Sequence, residues 1–287
     1  MEATLAYLRA NLCRNGVGEM RRDARIAWEG LSPASPYRAT MLYTEGISYL
    51  LEGDPARAAP VLARALDFAT HFGSLPLVGL ILAEQCAAAV EGDDWSEVTT
   101  LMQRATAIVD DGLGDYWTSA LVYAWASRAA AREGDTSRAQ FYLGRAARLR
   151  PLLSYVLPVV SVQALLEMTR SYIALGDPDG AAAVLAQIHD ILQQRPDLGL
   201  LPALAGRLQA SLANGNARQV GASSLTSAEL RLLPLLATHL SYQEISKRLF
   251  VSKNTVKTQA YSAYRKLGVS TRSEAVVRAR ELGLDAR

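Results

Sequence analysis

The stretch that decides the fold is LTSAELRLLPLLATHLSYQEISKRLFVSKNTVKTQ, residues 225–259, continued by AYSAYRKLGVSTRSEAVVRARELGL to residue 284. Capping residues and apolar spacing divide it into four short helices. The first is expected over about 226–238, with Thr226 or Ser227 as N-cap and Glu229 completing a capping-box pattern. The second is expected over 241–249, capped by Ser241 with Glu244 at its third position, and Phe250 and Val251 make the turn that follows. The third runs over 252–267, from a Ser252 cap to Gly268, and the fourth over 272–283, to Gly283. The small core expected between them draws on Leu230, Leu233, Leu236, Leu240, Ile245, Leu249, Val251, Val256, Leu267, Val269 and Val276.

The third of these helices has an unusual charge. Lys253, Asn254, Lys257 and Thr258 lie in its first two turns and Arg265 and Lys266 at its far end, with no acidic residue among them. A helix entering the major groove of DNA must offer donors to base edges and cations to flanking phosphates, and its free N–H groups favour a phosphate. The whole-chain balance agrees. The net charge of +2 is the sum of −4 over residues 1–221 and +6 over residues 222–287, and all four lysines fall in the second part. Between Glu244 and Glu274 there are seven basic residues and no acidic one. Such asymmetry points to a polyanionic partner for the C-terminal part, although a merely solvated basic face would give the same balance.

The pieces L-T-x-x-E, L-S-x-x-E-I, S-x-x-T-V-K and K-L-G-V are all present between Leu225 and Val269. In this the segment resembles the LuxR-type helix-turn-helix, over residues 225–282. The resemblance implies that the T-V-K segment opens the recognition helix, that Thr255 touches a phosphate, and that Lys257 and Thr258 face the major groove. It implies further that Lys266 lies near the DNA backbone and that the fourth helix pairs two subunits. The implied DNA-binding set is Lys253, Asn254, Thr255, Lys257, Thr258, Tyr261, Arg265 and Lys266. Three residues depart from the pattern. Gln259 replaces a common histidine, and Pro234 lies inside the first helix, where an interior break costs about 3 kcal/mol unless a local kink absorbs it. Ala263 replaces a buried isoleucine, leaving space for Tyr264 or Tyr261.

Upstream, residues 1–210 are rich in Ala, Leu and Arg, with no alternating strand pattern, and read as helical throughout. The dipeptide Gly-Asp recurs at Gly53-Asp54, Gly92-Asp93, Gly134-Asp135 and Gly176-Asp177, each time between two apolar-periodic segments. Glycine suits the left-handed residue that ends a helix and Asp caps the next, so the recurrence predicts stacked helical hairpins. The first unit resembles a tetratricopeptide repeat through Leu42, Gly46, Tyr49, Gly53, Ala58, Leu62 and Ala65. The fourth does so through Leu165, Tyr172, Gly176, Ala181 and Leu185. The second fits poorly, with Glu97 where Ala is wanted. The period exceeds the usual length of about 34 residues, and the surplus falls between hairpins, in HFGSLPLV and RPLLSYVLP. Residues 1–31 read as a further, incomplete hairpin. The expected fold is therefore all-α: a tetratricopeptide-like solenoid over 1–213, a linker over 214–224, and a four-helix LuxR-type domain over 225–287. Taken together these resemble the C-terminal part of the large ATP-dependent LuxR-type regulators; no G-x-x-x-x-G-K-[ST] occurs. Either the ATPase part is lacking or the chain is a fragment.

Other classes of function find little support. His71, His189 and His239 are isolated and match no metal spacing. Asp93-Asp94 and Asp110-Asp111 sit at helix ends, where capping accounts for them. No G-x-S-x-G or H-E-x-x-H occurs, so no enzyme and no cofactor are expected. The two cysteines, Cys13 and Cys86, are far apart, and the N-terminus lacks the marks of a signal peptide, which fits a reducing cytoplasm; the resemblance to LuxR-type regulators implies a bacterial one. The sparsely charged run Pro151–Leu166 is too short to span a bilayer and reads as buried helix. Tyr116, Trp117, Tyr123 and Trp125 are either hairpin packing or a groove for a small-molecule or peptide effector. The expected function is sequence-specific transcription regulation on double-stranded DNA, as a homodimer, with the solenoid sensing a ligand or partner. The competing reading is a protein-interaction adaptor with weak or vestigial DNA binding.

Overall fold

The computed structural model describes residues 1–219, 227–238, 240–249 and 251–281; the side chains of 215–219, 227, 228, 230, 231, 265, 266, 280 and 281 lie outside that description. Among the described residues every regular element is helical. The chain divides into two units, Met1–Ala210 and Ser211–Arg287.

The first unit is built from five consecutive hairpins. They are α1 (Glu2–Leu12) with α2 (Val17–Gly30), α3 (Tyr37–Leu51) with α4 (Pro55–His71), and α5 (Leu75–Glu91) with α6 (Trp95–Asp110). After these come α7 (Ser119–Arg132) with α8 (Thr136–Leu149), and α9 (Pro158–Ala174) with α10 (Pro178–Gln194). The first hairpin is complete, with Cys13 in the left-handed region at its turn. Helices α3, α5, α7 and α9 are buried nearly all round and form the inner layer. Helices α4, α6, α8 and α10 bury one stripe against them, as the 3.6-residue period of their apolar residues requires. The interlock is tight: a Cβ at Gly46 would lie 2.7 Å from Leu62 Cδ2.

The turns explain the poor fit of the second repeat. The left-handed residue is Gly53, Gly134 and Gly176 in the second, fourth and fifth hairpins, but in the third it is Asp93, with Gly92 at φ −83. The cap is accordingly Asp94, whose carboxylate accepts from the Glu97 N–H at 3.0 Å, as Asp54, Asp135 and Asp177 do in their own turns. Glycine there stands one place early. Counting from the left-handed residue instead, the positions five, nine and twelve places on are Val98, Met102 and Ala105, all buried. They match Ala58, Leu62 and Ala65 in the preceding hairpin, and Glu97 points to solvent.

Two further expectations are corrected. The run Pro151–Leu166 is not one helix: a single 3-10 turn, Arg150–Leu152, gives way to a loop, and Pro158 starts α9 at a first-turn position where its missing N–H costs nothing. Residues 214–219, read from composition as the start of a linker, are the last turns of α11 (Leu201–Gln219); residues 220–224 of that stretch lie outside the described residues.

The repeat unit also closes on itself. After α10, residues 195–200 run back to the first two hairpins, where the Leu200 N–H donates to the Leu51 carbonyl at 2.8 Å. Leu198 is fully buried. Gly199, at φ +60, lies so close that a Cβ would stand 2.2 Å from the Leu51 carbonyl oxygen, and a Cβ at Gly16 would stand 2.0 Å from Asp197 Oδ2. Only glycine fits either place.

Candidate nucleic-acid interface

The second unit contains α12 (Ser227–Leu236), α13 (Tyr242–Leu249), α14 (Lys253–Leu267) and α15 (Arg272–Glu281). Each boundary has a local cause. The Ser241 N–H and hydroxyl both donate to Glu244 Oε2, at 2.8 and 2.7 Å, and the Glu244 N–H returns to Ser241 Oγ: a capping box opens α13. Ser252 Oγ accepts from the Thr255 N–H at 3.0 Å and opens α14, which Gly268 closes at φ +69. Thr271 and Glu274 repeat the box at α15. These bonds stabilise the charged carboxylates, so the backbone N–H donors hold Glu244 and Glu274 below the ordinary carboxylate range. The two acids that bracket the basic stretch are thus committed to helix ends.

The core joins Leu232, Leu233 and Leu236 of α12, Ile245 of α13, Val256, Ala260, Ala263, Tyr264 and Leu267 of α14, and Ala275 and Ala279 of α15. Leu240, Leu249, Val269 and Val276 pack around it, while Leu230 lies outside the described side chains. One expected member is corrected: Val251 is 37 % exposed, because its residue forms the turn and its N–H is drawn to the Ser246 carbonyl. The space beside Ala263 is filled by Tyr264, which is buried and shares a 2.9 Å hydroxyl contact with Tyr242; Tyr261 is 61 % exposed. Burial pushes the Tyr264 phenol well above its usual range. Pro234 is accommodated within α12, which ends two residues later. The carbonyls at its end accept from a residue that the sequence did not flag. The Arg272 guanidinium donates to the Leu236 and Thr238 carbonyls, both at 2.8 Å, and to Leu235 at 3.3 Å.

Helix α14 therefore has two faces. Val256, Ala260, Ala263, Tyr264 and Leu267 turn inward. Lys253, Asn254, Lys257, Thr258 and Tyr261 are exposed, and the last four recur at the spacing of one helical stripe. Thr255 is half-buried, with its hydroxyl 2.7 Å from Ser252 Oγ, and the Thr258 hydroxyl donates to the Asn254 carbonyl. Arg265 and Lys266 continue the helix, with side chains outside the described residues. A rigid helix offering amide, hydroxyl and ammonium groups on one face, with no acid among them, can hydrogen-bond base edges and neutralise phosphates.

The four aromatics singled out upstream do not form one groove. Tyr123 and Trp125 are core residues of α7: the Tyr123 hydroxyl donates to Asp110 at 2.9 Å beneath the Arg145 guanidinium, and Trp125 lies under Arg128. Tyr116 and Trp117 precede α7 and instead line a separate cavity of about 640 Å³ in the repeat unit. Neighbouring helix positions point in different directions, which aromatic clustering in sequence does not reveal. Among the described residues no group of side chains could hold a metal ion, and no helix is long and apolar enough to cross a membrane. Both cysteines are free and buried.

A four-helix unit with a basic, exposed third helix defines a helix-turn-helix protein, and the comparisons agree. Residues 223–279 match the bacterial regulatory proteins of the luxR family. The spore germination protein GerE of Bacillus subtilis is 39% identical over 59 residues, 21% of this chain and 80% of that protein. The CsgBAC operon transcriptional regulatory protein of Escherichia coli is 40% identical over 65 residues, 22% of this chain and 30% of the relative. The DNA-binding transcriptional activator DevR/DosR of Mycobacterium tuberculosis is 37% identical over 78 residues, 27% of this chain and 36% of the relative. The chain thus spans about a third of the length of the latter two. It belongs to the LuxR family of bacterial regulatory proteins through its C-terminal domain.

Proposed function

We propose that this chain is a sequence-specific DNA-binding transcription regulator in which α14 reads the major groove and the helical-repeat unit is the regulatory input. The observation that carries this reading is the acid-free exposed stripe Asn254, Lys257, Thr258 and Tyr261 on a helix whose other face is locked into a core. The names of the relatives, a transcriptional activator and an operon regulator, support it. Thr255 and Lys253, at the helix start, contact phosphate beside the free N–H groups; Arg265 and Lys266 serve the backbone at the far end. Two copies pair through α15, where Val277 is 55 % exposed beside the packed Val276, placing two recognition helices about 10 base pairs apart. The stacked hairpins are of tetratricopeptide type, and the whole resembles the C-terminal portion of the ATP-dependent LuxR-type regulators.

The test is differential. Once a bound site has been mapped by footprinting, Lys257→Ala should weaken binding to it by about tenfold to a hundredfold more than binding to random DNA, as loss of a base contact worth roughly 1–3 kcal/mol requires. Equal losses on both DNAs at matched salt would reduce Lys257 to a phosphate clamp. Absence of any footprint would favour the adaptor reading.

A further inference from the structure

The cavity of about 640 Å³ in the repeat unit is lined by residues far apart in the chain. Tyr7 and Leu12 of α1, Tyr43 of α3, Leu80 of α5, Trp117 before α7 and Val160 of α9 all face it. Its rim is made by the segments that lengthen this repeat, since Phe72 and Ser74 lie between α4 and α5, Tyr116 and Trp117 between α6 and α7, and Leu157 before α9. The return of residues 195–200 to Leu51, at the far end of α3, fastens the stack from which these lining residues come.

Its chemistry is one-sided. None of the lining residues is charged. The polar side chains among them carry hydroxyls, the Asn11 amide and the Trp117 indole. Behind the wall, the Tyr43 hydroxyl donates to the buried Glu84, which also accepts from Gln163 at 2.7 Å. Burial raises the Glu84 carboxyl to about 8, so it too is neutral at physiological pH. The mouth is aromatic: Tyr7 and Tyr37 meet edge to face at 5.3 Å, Tyr116 lies 6.5 Å from Trp117, and Tyr37 and Tyr116 are 57 % and 45 % exposed.

We propose that this chamber binds an uncharged, ring-bearing small molecule with a few hydroxyl or carbonyl groups. The volume falls in the range that takes a drug-sized ligand, roughly 300–1,000 Å³. Aromatic pairs at the mouth favour a flat ring, and a site without ionic partners disfavours a charged ligand, whose desolvation nothing repays. A peptide fits less well: its backbone needs a row of donors and acceptors, and the polar side chains of the lining are limited to scattered hydroxyls, one amide and one indole. The proposal rests on reading the repeat unit as the regulatory input, and it names that input's chemistry.

The experiment uses the full chain and two dyes of nearly the same shape, neutral N-phenyl-1-naphthylamine and anionic 1-anilinonaphthalene-8-sulfonate. The neutral dye should bind saturably, one molecule per chain, and the sulfonate about tenfold or more weaker. Trp117→Ala and Thr40→Trp, the latter filling the chamber, should each weaken the neutral dye about tenfold with helicity unchanged; Trp95→Ala, outside the cavity, should not. If Thr40→Trp fails to fold, Trp117→Ala, on a loop, still decides. Equal binding of both dyes, unchanged affinity in Trp117→Ala, or tighter competition by an extended apolar peptide would overturn the proposal. DNA affinity is then measured with the neutral dye at saturation. A change supports the regulatory input; no change removes that reading while leaving the chamber's ligand class standing.

Discussion

The two units bury apolar surface in different ways. The repeat unit does so by repetition: each inner helix is covered on one side by its own hairpin partner and on others by neighbouring inner helices, and alanines let the backbones approach. The C-terminal unit has little to repeat. Its core is a single cluster, and its helix ends are held by side chains: Glu244 on Ser241, Glu274 on Ser270, and Arg272 on the end of α12. Such economy leaves one face of α14 free for a partner, whereas the repeat unit spends nearly all of α3, α5, α7 and α9 on packing around a hollow of about 640 Å³. Net charge follows the same division, −4 against +6.

That contrast predicts the largest effect. A fragment ending at residue 219 should be helical and should lose DNA binding altogether in a mobility-shift assay, because the acid-free run of basic residues between Glu244 and Glu274 lies beyond it. Retention of full-strength binding by this fragment would reverse the assignment of roles.

A second effect separates the units by pH. The repeat unit holds a carboxyl raised to about 8, Glu84, which burial keeps protonated beside Tyr43, Gln163 and the nearby Glu167. The unfolded chain releases that proton above the ordinary value of 4.5, so the folded state binds more protons between the two. Stability of the repeat unit should therefore fall as pH rises from about 5 to 8, by up to about 1.4 kcal/mol per unit. Glu84→Gln should flatten the slope in denaturant titrations across that range; an unchanged slope would place the dependence elsewhere.

The closure is the next comparison. Gly199→Ala puts a methyl against the Leu51 carbonyl at a left-handed backbone position, for a cost of about 2–3 kcal/mol in unfolding experiments. The cost should fall on the repeat unit alone, leaving the melting of the C-terminal unit in place. A neutral substitution would mean that residues 195–200 do not fasten the ring.

How much of this could be read from the sequence follows the same line. Local signals were legible: the caps Ser241 and Ser252, the stop at Gly268, and the turns at Gly53, Gly134 and Gly176 each depend on residues a few places apart. The exposed stripe of α14 was legible for the same reason, since helical spacing assigns faces. The cavity was not, because Tyr7, Tyr43, Leu80 and Val160 come from four different helices and are joined only by the curl of the stack. Arg272 was equally silent: an arginine at the start of a helix gives no sign that it caps another. Tyr123 and Trp125 misled because chemical type was read without direction.

The smallest effect tests the turn that was misread. Gly92 and Gly134 both belong to Gly-Asp pairs, yet only Gly134 is left-handed, at φ +81 against −83 for Gly92. An added Cβ at Gly92 meets nothing nearer than the Ala89 carbonyl oxygen at 3.6 Å, and Gly134 faces open space. Sterics therefore excuse both, and backbone conformation alone decides. At Gly92 the alanine φ is already native, so Gly92→Ala restricts the unfolded chain and should stabilise by about 0.4–1 kcal/mol. At Gly134 the same change forces a side chain into the left-handed region and should cost about 1–2 kcal/mol. Asp93, at φ 55, already bears that strain, partly offset by the bond from the Trp95 indole N–H to its carboxylate at 3.1 Å. Asp93→Gly should consequently change stability by less than Gly134→Ala, and towards greater stability. If Gly92→Ala and Gly134→Ala destabilised the repeat unit equally, the left-handed residue of the third hairpin would be Gly92 after all, and the register that buries Val98, Met102 and Ala105 would have to move back by one.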